Sequence, residues 1–317
     1  MLVKNLQWLW KISAPVCEHE TGGLKHKANK ISILKRRLVF ATKAAPLMNS
    51  LLGFKHPRAD SPLQHAMQQR PEIVGAAMWP YICSSWSAKM ALHQIEDHFK
   101  AIETMGRMFD FPVNRALLLL ELGDLSPDLQ VALDQPKWFM REGLFVINLF
   151  VSDIRIYSLA FSFAFESGRI AAYIGAVQGV DTAGILDDYK NLTKALQGMR
   201  PRDFLVEVFR IFCRCAGIAR ILAVNDSRRQ HRSSYFGADK SRGLFVDYND
   251  IWIERGGLPY NEDFFVLALE TPMKNLEDVP SKKRAMYRRR YELLQLIEER
   301  MQDVLKNNTA DNIIPAP

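Results

Sequence analysis

The chain has 317 residues, of which 48% are hydrophobic and 24% are charged, values typical of soluble globular proteins. Its net charge of +7 suits an anionic partner, such as nucleic acid, anionic lipid or a phosphorylated small molecule. Four cysteines are too few for a secreted protein built on disulfides. The histidines and cysteines show no spacing typical of a metal site, so we expect no metal centre.

No apolar run approaches the length of about 18 residues that predicts a membrane-spanning helix. The apolar N-terminal run is interrupted by polar residues and is followed by no small-residue cleavage site, which argues against a signal peptide. We therefore expect a cytoplasmic protein.

Residues 1–135 are predicted to form a helical N-terminal region, followed by an α+β domain over 136–317. Residues 25–58 contain nine Lys or Arg and no Asp or Glu. A basic amphipathic helix of this kind either touches an anionic membrane or packs its apolar stripe on the rest of the protein. The second alternative is favoured, because Pro46 interrupts any long helix lying on a membrane.

Apolar spacing predicts a helix from Lys30 to Leu52 and another from Ser87 to Phe109. In the first helix, the apolar stripe consists of Ile31, Leu34, Leu38, Ala41 and Ala45.

Residues 136–317 contain apolar patterns typical of strands as well as of helices. Strands are predicted over 144–151, 154–166, 169–178, 218–224 and 264–269. Helices are predicted over 183–197, from Pro201 to Gly217 and over 281–306. Short connections make the first three strands an antiparallel meander, and the helices before the fourth predict a parallel crossover. The fold class is therefore α+β, with a mixed, mainly antiparallel sheet and packed helices.

The predicted strand 154–166 has two different faces. Tyr157, Phe161 and Phe163 lie on an aromatic face that builds core, whereas Ser158 and Ser162 lie on a face of small residues. The small face allows a helix or a ligand to approach closely, and helix packing is the commoner outcome.

The end of the third strand, at Gln178 and Gly179, predicts an anion site. Free backbone N–H groups at the start of the following helix attract phosphate, and a glycine allows close approach. Asp181 or Thr182 is available to cap that helix. Basic residues follow, which the folded helices bring near the anion. The candidate ligand-binding residues are Gln178, Gly179, Lys190, Lys194, Arg200 and Arg202.

This order of strands and helices is similar to acyl-CoA-dependent N-acyltransferases of the GNAT superfamily, in which pyrophosphate binds at such a turn. The signature of that superfamily, Gln/Arg-x-x-Gly-x-Gly/Ala, is matched at Gln178 and Ala183, whereas Asp181 replaces the first glycine. The resemblance implies a GNAT-like fold, acyl-CoA as a cofactor and acyl transfer as an alternative function. An aspartate at that point would repel phosphate.

Other enzyme signatures are absent from the sequence, including nucleophile elbows, Walker loops and zinc-protease motifs. His231 stands beside Arg229 and Arg232 and is interpreted as part of an exposed basic loop. The catalytic residues are unknown on sequence grounds, and whether the chain is an enzyme stays open.

Residues 282–291 contain six positive charges and two tyrosines. Lys282, Lys283, Arg288 and Arg289 are candidates for binding phosphate groups, although consecutive charges on a helix face in different directions. Because RNA- and DNA-binding motifs are absent, nucleic acid is not the expected ligand.

The stretches 174–179, 192–202 and 282–291, together with Arg141–Leu144, carry a family resemblance. The chain resembles the VirK/YbjX family of enterobacterial proteins, and most closely its VirK branch. The resemblance implies a role in virulence and envelope biology: the production or display of a surface virulence factor, or resistance to cationic antimicrobial peptides.

Three functions follow from these patterns. The chain is an accessory protein with an unidentified protein or anionic partner, an enzyme using an acyl or phosphate ligand after Gln178, or a peripheral binder of anionic membrane through residues 25–58 or 282–290.

Overall fold

The structure is a computed structural model that describes residues 2–20, 30–182, 184–237, 246–307 and 312–316. Its helices are α1 (Leu2–Glu20), α2 (Lys30–Ala44), α3 (Met48–Lys55), α4 (Pro62–Gln69), α5 (Ala88–Met105), α6 (Ile185–Ala195), α7 (Pro201–Cys215), α8 (Tyr248–Glu254) and α9 (Ser281–Asn307). Its strands are β1 (Arg115–Glu121), β2 (Leu129–Asp134), β3 (Phe145–Val151), β4 (Ile154–Glu166), β5 (Arg169–Gly179), β6 (Arg220–Val224), β7 (Leu258–Pro259), β8 (Phe264–Leu267) and β9 (Ile313–Pro315).

The strands form one sheet in the order β7-β8-β6-β5-β4-β3-β2-β1-β9. Neighbouring strands are antiparallel except β5 and β6, which are parallel. The predicted meander β3–β4–β5, the parallel crossover through α6 and α7, and the α+β class are confirmed.

The helical prediction for residues 1–135 is wrong over Arg115–Glu121 and Leu129–Asp134, which are β1 and β2. A short run of leucines does not distinguish a buried strand from a buried helix by periodicity, and here pairing with β3 and β9 decides the outcome. Strands from both sides of residue 135 share the sheet. The division of the chain into two domains at that residue stays a prediction.

The parallel pairing of β5 with β6 is short. It runs from Ala171 opposite Arg220 to Ile174 opposite Ala223, and β6 ends at Val224 whereas β5 continues to Gly179. The carboxyl end of β5 therefore extends beyond the end of β6. Crevices at the carboxyl ends of parallel strands are where open α/β sheets bind ligands.

The start of α6 differs from the prediction. The helix begins after Gly184, which has a left-handed φ of 86°, and no side chain caps it. The expectation that Asp181 or Thr182 caps this helix is therefore wrong, because α6 begins later in the chain than predicted.

The aromatic face of β4 forms the core. Phe161 packs on Phe209 of α7 with ring centroids 4.8 Å apart, and Phe163 stacks on His98 of α5 at 5.7 Å. On the small face, the Ser162 hydroxyl accepts the Leu144 N–H and is hydrogen-bonded to the Tyr81 hydroxyl. Neither of these two partners belongs to a helix.

Segment 141–143 crosses the small face at backbone contact. A Cβ added to Gly175 would overlap the carbonyl oxygen of Glu142, and one added to Gly143 would overlap the backbone of Phe161. Gly175 is also the residue at which the β4–β5 register shifts. Glycine is required at both positions because the two backbones leave no room for a side chain.

His98 is a buried histidine in an aromatic environment. Its Nδ1 accepts the Phe163 N–H at 3.1 Å, and the rings of Phe99, Phe145 and Phe163 surround it. Burial lowers the pKa of His98 from 6.5 to about 3, so the ring is neutral at physiological pH.

We expect His98 to make stability depend on pH. A histidine whose folded-state pKa lies below its unfolded value does not lower the free energy of unfolding above about pH 6.5. As the pH falls from there towards 3, it destabilises the fold progressively. At pH 5 the loss is about 2 kcal/mol. Urea unfolding of His98→Asn, whose amide oxygen replaces the Nδ1 acceptor, should show a shallower dependence between pH 6.5 and 5. His93→Asn, on the exposed side of α5, should keep the wild-type slope, and an equal slope in all three proteins would contradict the assignment.

Candidate functional site

The cavity between α6 and α7 contains four of the predicted anion-binding residues. It has a volume of about 610 Å³, with Tyr157, Leu186 and Tyr189 among the apolar groups on its wall. The basic residues that line it are Lys190, Lys194, Arg200 and Arg202. The two helices bring these residues together because Pro201 starts α7 shortly after α6 ends.

Two of these four cations are already paired. Lys190 lies 2.9 Å from Asp187, and Arg202 lies 2.9 Å from Asp203 and 2.6 Å from Glu254. Within the described ranges, Lys194 and Arg200 have no ion-pair partner and are exposed. They are the two groups with charge available for a ligand.

Two tyrosines, Tyr157 and Tyr189, form part of the cavity wall. The Tyr189 hydroxyl donates to the Val180 carbonyl at 3.0 Å, and burial raises the pKa of Tyr189 to about 12. The hydroxyl therefore stays protonated at physiological pH. A wall of aromatic and aliphatic groups with cations at its rim suits a ligand with an apolar chain and an anionic end.

Gln178 and Gly179 lie on opposite sides of the sheet. A Cβ on Gly179 would overlap the Tyr189 hydroxyl and the Tyr157 ring, so Gly179 lies directly behind two residues of the cavity wall. Gln178 is paired with Ser158 on the small face and is exposed. Successive strand residues alternate between faces, so Gln178 points away from Lys194.

The basic residues of α9 lie apart from this cavity. Lys282, Lys283 and Arg288 are exposed, and Arg289 donates to the Gln197 side chain at 3.0 Å. None of the four lines the α6–α7 cavity. Their predicted phosphate-binding role is therefore separate from that of Lys194 and Arg200, and it stays a prediction.

The interpretation of His231 as an exposed loop residue is wrong. Its side chain is 25% exposed, and Nε2 lies 2.9 Å from Glu142 Oε1, to which Gln230 Nε2 donates at 2.8 Å. Gln230 Nε2 also lies 2.8 Å from His231 Nε2, so the contacts of that nitrogen depend on the tautomer of the ring. With the proton on Nε2, the ring donates to the Glu142 carboxylate and Nδ1 remains an acceptor.

Three buried atoms of this group have no hydrogen-bond partner among the residues that the structure describes: Glu142 Oε2, Gln230 Oε1 and His231 Nδ1. Sequence reasoning missed the group because Glu142 and His231 are 89 residues apart. The feature of the sequence that could have indicated this group is the pair of glycines, Gly143 and Gly175, which allow segment 141–143 to contact the sheet.

The phenol of Tyr248 bonds to β5 beyond the end of β6. Its hydroxyl accepts the Val177 N–H and donates to the Val177 carbonyl, both at 3.1 Å. Arg229 lies 3.6 Å from the centre of the Tyr248 ring, and Trp252 of the same helix donates to the Val224 carbonyl at 2.9 Å. Helix α8 thus satisfies backbone groups on both strands.

The apolar stripe of α2 is exposed over most of its length. Ile31, Leu34 and Leu38 are 60%, 49% and 50% exposed, whereas Phe40 and Ala44 on the opposite side are buried. Ala45, at the carboxyl end of the stripe, packs against the core, so the favoured alternative of a packed stripe holds there and is wrong for Leu34 and Leu38. Lys25 and Lys27 of the basic stretch lie outside the described residues.

Helix α1 packs against α2 and adds to the exposed surface. Arg37 of α2 stacks on Trp10 at 4.1 Å and donates to the Trp10 carbonyl and the Ser13 hydroxyl. Val3, Leu6 and Trp10 of α1 are exposed. From Leu2 to Cys17 and from Lys30 to Ala44 there is no acidic residue.

Among the helices that the structure describes, none is both long and apolar enough to cross a membrane. The described residues also contain no cluster of three His, Cys, Asp or Glu side chains arranged to hold a metal ion.

Residues 29–303 match the family described as a protein of unknown function, DUF535, and the chain belongs to that family. It is 25% identical over 273 residues to the uncharacterized protein YbjX of Escherichia coli, covering 84% of this chain and 81% of YbjX. The match confirms the resemblance to the VirK/YbjX family.

An uncharacterized protein of Haemophilus influenzae is 32% identical over 186 residues, covering 57% of this chain and 61% of that protein. A second one from the same organism is 32% identical over 179 residues, covering 55% and 57%. The chain thus spans about three fifths of these two relatives. No solved structure matches the chain.

We expect Tyr248→Phe to destabilise the protein by about 1–3 kcal/mol, because it leaves a buried N–H and a buried carbonyl of Val177 unpaired. Tyr291→Phe is a matched control, since the Tyr291 hydroxyl makes the same two bonds to the backbone of Lys274 where water can replace it. Chemical denaturation measures both variants. Equal losses in the two variants would contradict the role given to Tyr248.

Proposed function

We propose that the chain is an accessory protein that works at the surface of an anionic membrane, in the production or display of envelope components. The observation that carries the proposal is the exposed apolar stripe Ile31, Leu34 and Leu38 of α2, with basic residues beside it. The family resemblance adds the biological setting: a surface virulence factor, or resistance to cationic antimicrobial peptides. A cytoplasmic location would bring this surface to the inner leaflet.

The composition of the α1–α2 surface favours lipid over a protein partner. On α2, helical spacing places Lys35 beside the apolar stripe and Lys43 further round the helix, and both are exposed. Lys4 and Lys11 of α1 are exposed as well. Apolar residues that enter the head-group region, together with Lys that attracts anionic lipid, are typical of helices that lie on a membrane.

We expect the protein to co-sediment with vesicles containing phosphatidylglycerol, and much less with pure phosphatidylcholine. Added salt should weaken the binding, because exposed charges are screened. The double variant Leu34→Glu/Leu38→Glu should bind about 10-fold more weakly or worse, since it loses apolar burial and adds repulsion.

The control is Leu258→Glu, at an exposed leucine of β7 outside this surface, which should bind as the wild type does. Lys35→Glu/Lys43→Glu should lose the preference for anionic lipid. Equal binding by the wild type and the Leu34/Leu38 variant, or equal binding to both kinds of vesicle, would overturn the proposal.

A second candidate function is binding of an acyl ligand with a phosphate-bearing head, such as acyl-CoA, in the α6–α7 cavity. The apolar wall at Tyr157, Leu186 and Tyr189 with the unpaired cations Lys194 and Arg200 favours it. Acyl transfer to an envelope precursor or a protein would follow as the activity. Asp181 stands where GNAT enzymes have a glycine, and Asp187 and Asp188 lie in the first turn of α6. The charge for the head group would therefore come from Lys194 and Arg200.

We expect long-chain acyl-CoA to raise the unfolding temperature of the purified protein by mass action, and CoA alone to have a smaller effect. Lys194→Ala and Arg200→Ala should each reduce the shift without changing the unfolding temperature of the free protein, because both residues are exposed and unpaired. Lys282→Ala/Lys283→Ala is the matched control for loss of positive charge. A shift retained in the first two variants, or lost in the control, would exclude this cavity.

A further inference from the structure

A pocket of about 300 Å³ lies on another part of the surface, beside the ends of β1 and β2. It contains three cations, Arg70, Lys137 and Arg155, and the two acids Glu72 and Asp134. Trp138 also lines it and is 65% exposed. None of these residues belongs to the α6–α7 cavity or to the α1–α2 surface.

The Arg70 side chain lacks a counter-ion at contact distance. The residue is only 7% exposed, yet within the described part of the chain its guanidinium makes no hydrogen bond and no ion pair. Glu72 and Asp134 act on it from longer range, and burial lowers the pKa of Arg70 to about 10, which leaves it charged at neutral pH. A buried charge without a partner is costly, so proteins normally place an anion beside it.

Arg155 is held in place with one nitrogen unused. Asp134 Oδ2 accepts from Nη2 at 2.8 Å, and Asp134 is itself fixed by Asn148 at 2.7 Å. The Arg155 Nη1 atom is buried and has no hydrogen-bond partner in the described part of the chain. The planar guanidinium lies 4.9 Å from the ring centre of Phe150 and 5.3 Å from that of Trp138, which restricts its orientation.

The local charges leave an excess of one cation. Lys137 is paired with Glu72 at 2.8 Å, and Arg155 with Asp134. Arg70 is the third cation and has no acid of its own. A guanidinium presents parallel N–H donors that match the oxygens of a carboxylate or a phosphate.

We propose that this pocket binds a small organic oxyanion, a phosphate or carboxylate attached to a ring, with the oxygens received by Arg70 and Arg155 Nη1 and the ring lying on Trp138. The volume is at the lower end of the range for ligand sites, which limits the ligand to about the size of a phosphorylated monosaccharide. An exposed tryptophan at the mouth of the pocket offers a flat apolar surface for such a ring.

The test compares inorganic phosphate, acetate and a hexose monophosphate with chloride at matched ionic strength. The readouts are the unfolding temperature and the quenching of tryptophan emission by acrylamide. We expect phosphate or acetate to raise the unfolding temperature beyond the effect of chloride. The hexose monophosphate should raise it further and protect Trp138 from the quencher, and Trp138→Phe should abolish the change in emission.

Arg70→Gln should lose the response and leave the ligand-free protein no less stable, since it removes an unpaired buried charge. Arg155→Lys keeps the ion pair with Asp134 but removes Nη1, and should weaken binding about 10-fold to 100-fold. Arg169→Gln, an exposed arginine outside the pocket, should respond as the wild type does. Should Arg70→Gln fail to fold, Arg155→Lys still decides the outcome.

The proposal is overturned if no oxyanion shifts the wild type beyond chloride, or if Arg155→Lys responds as the wild type does. Inorganic phosphate binding as tightly as the hexose monophosphate would overturn the role of Trp138. Lys194→Ala and Leu34→Glu/Leu38→Glu should keep the full response, so failure here is distinguishable from failure of the membrane and acyl-ligand proposals.

Discussion

The contact of segment 141–143 with the backbones of β4 and β5 is the constraint on which the polar half of the structure depends. It requires glycine at positions 143 and 175, and it places the Leu144 N–H on Ser162 at the start of β3. It also directs Glu142 towards the residues that follow β6. The meeting of Glu142 with Gln230 and His231 is thus a consequence of main-chain packing, because no side chain separates the two layers.

The two faces of the sheet carry different contacts, apolar on one face and polar on the other. On the aromatic face, α5 and α7 bury Phe163 and Phe161, and the α6–α7 cavity opens beside this core with cations at its rim. On the small face, the contacts of Ser162 are polar and come from segments without regular structure. A chain with an excess of basic residues therefore has several cationic surfaces that differ in burial and in the apolar groups beside them.

Periodicity predicted the elements whose burial is one-sided and regular, such as β4, α5 and α7. It failed for β1, where consecutive leucines carry no period. For α2 it predicted the helix but not the exposure of Leu34 and Leu38 in its apolar stripe. Of the predicted anion site, Lys194 and Arg200 meet in one cavity because α6 and α7 are adjacent in sequence. Arg70 and Arg155 line one pocket, and Glu142 contacts His231, although the members of each pair are far apart in sequence, and local patterns contain no information on such contacts.

The strands at both edges of the sheet are very short. On one side β7 consists of Leu258 and Pro259, and on the other β9 ends at Pro315. Proline has no N–H to donate, and a strand of two or three residues offers little template for another chain. Both margins are therefore poor starting points for intermolecular strand pairing. The short edge strands thus protect the long, apolar central strands of this wide sheet from pairing with the strands of another molecule.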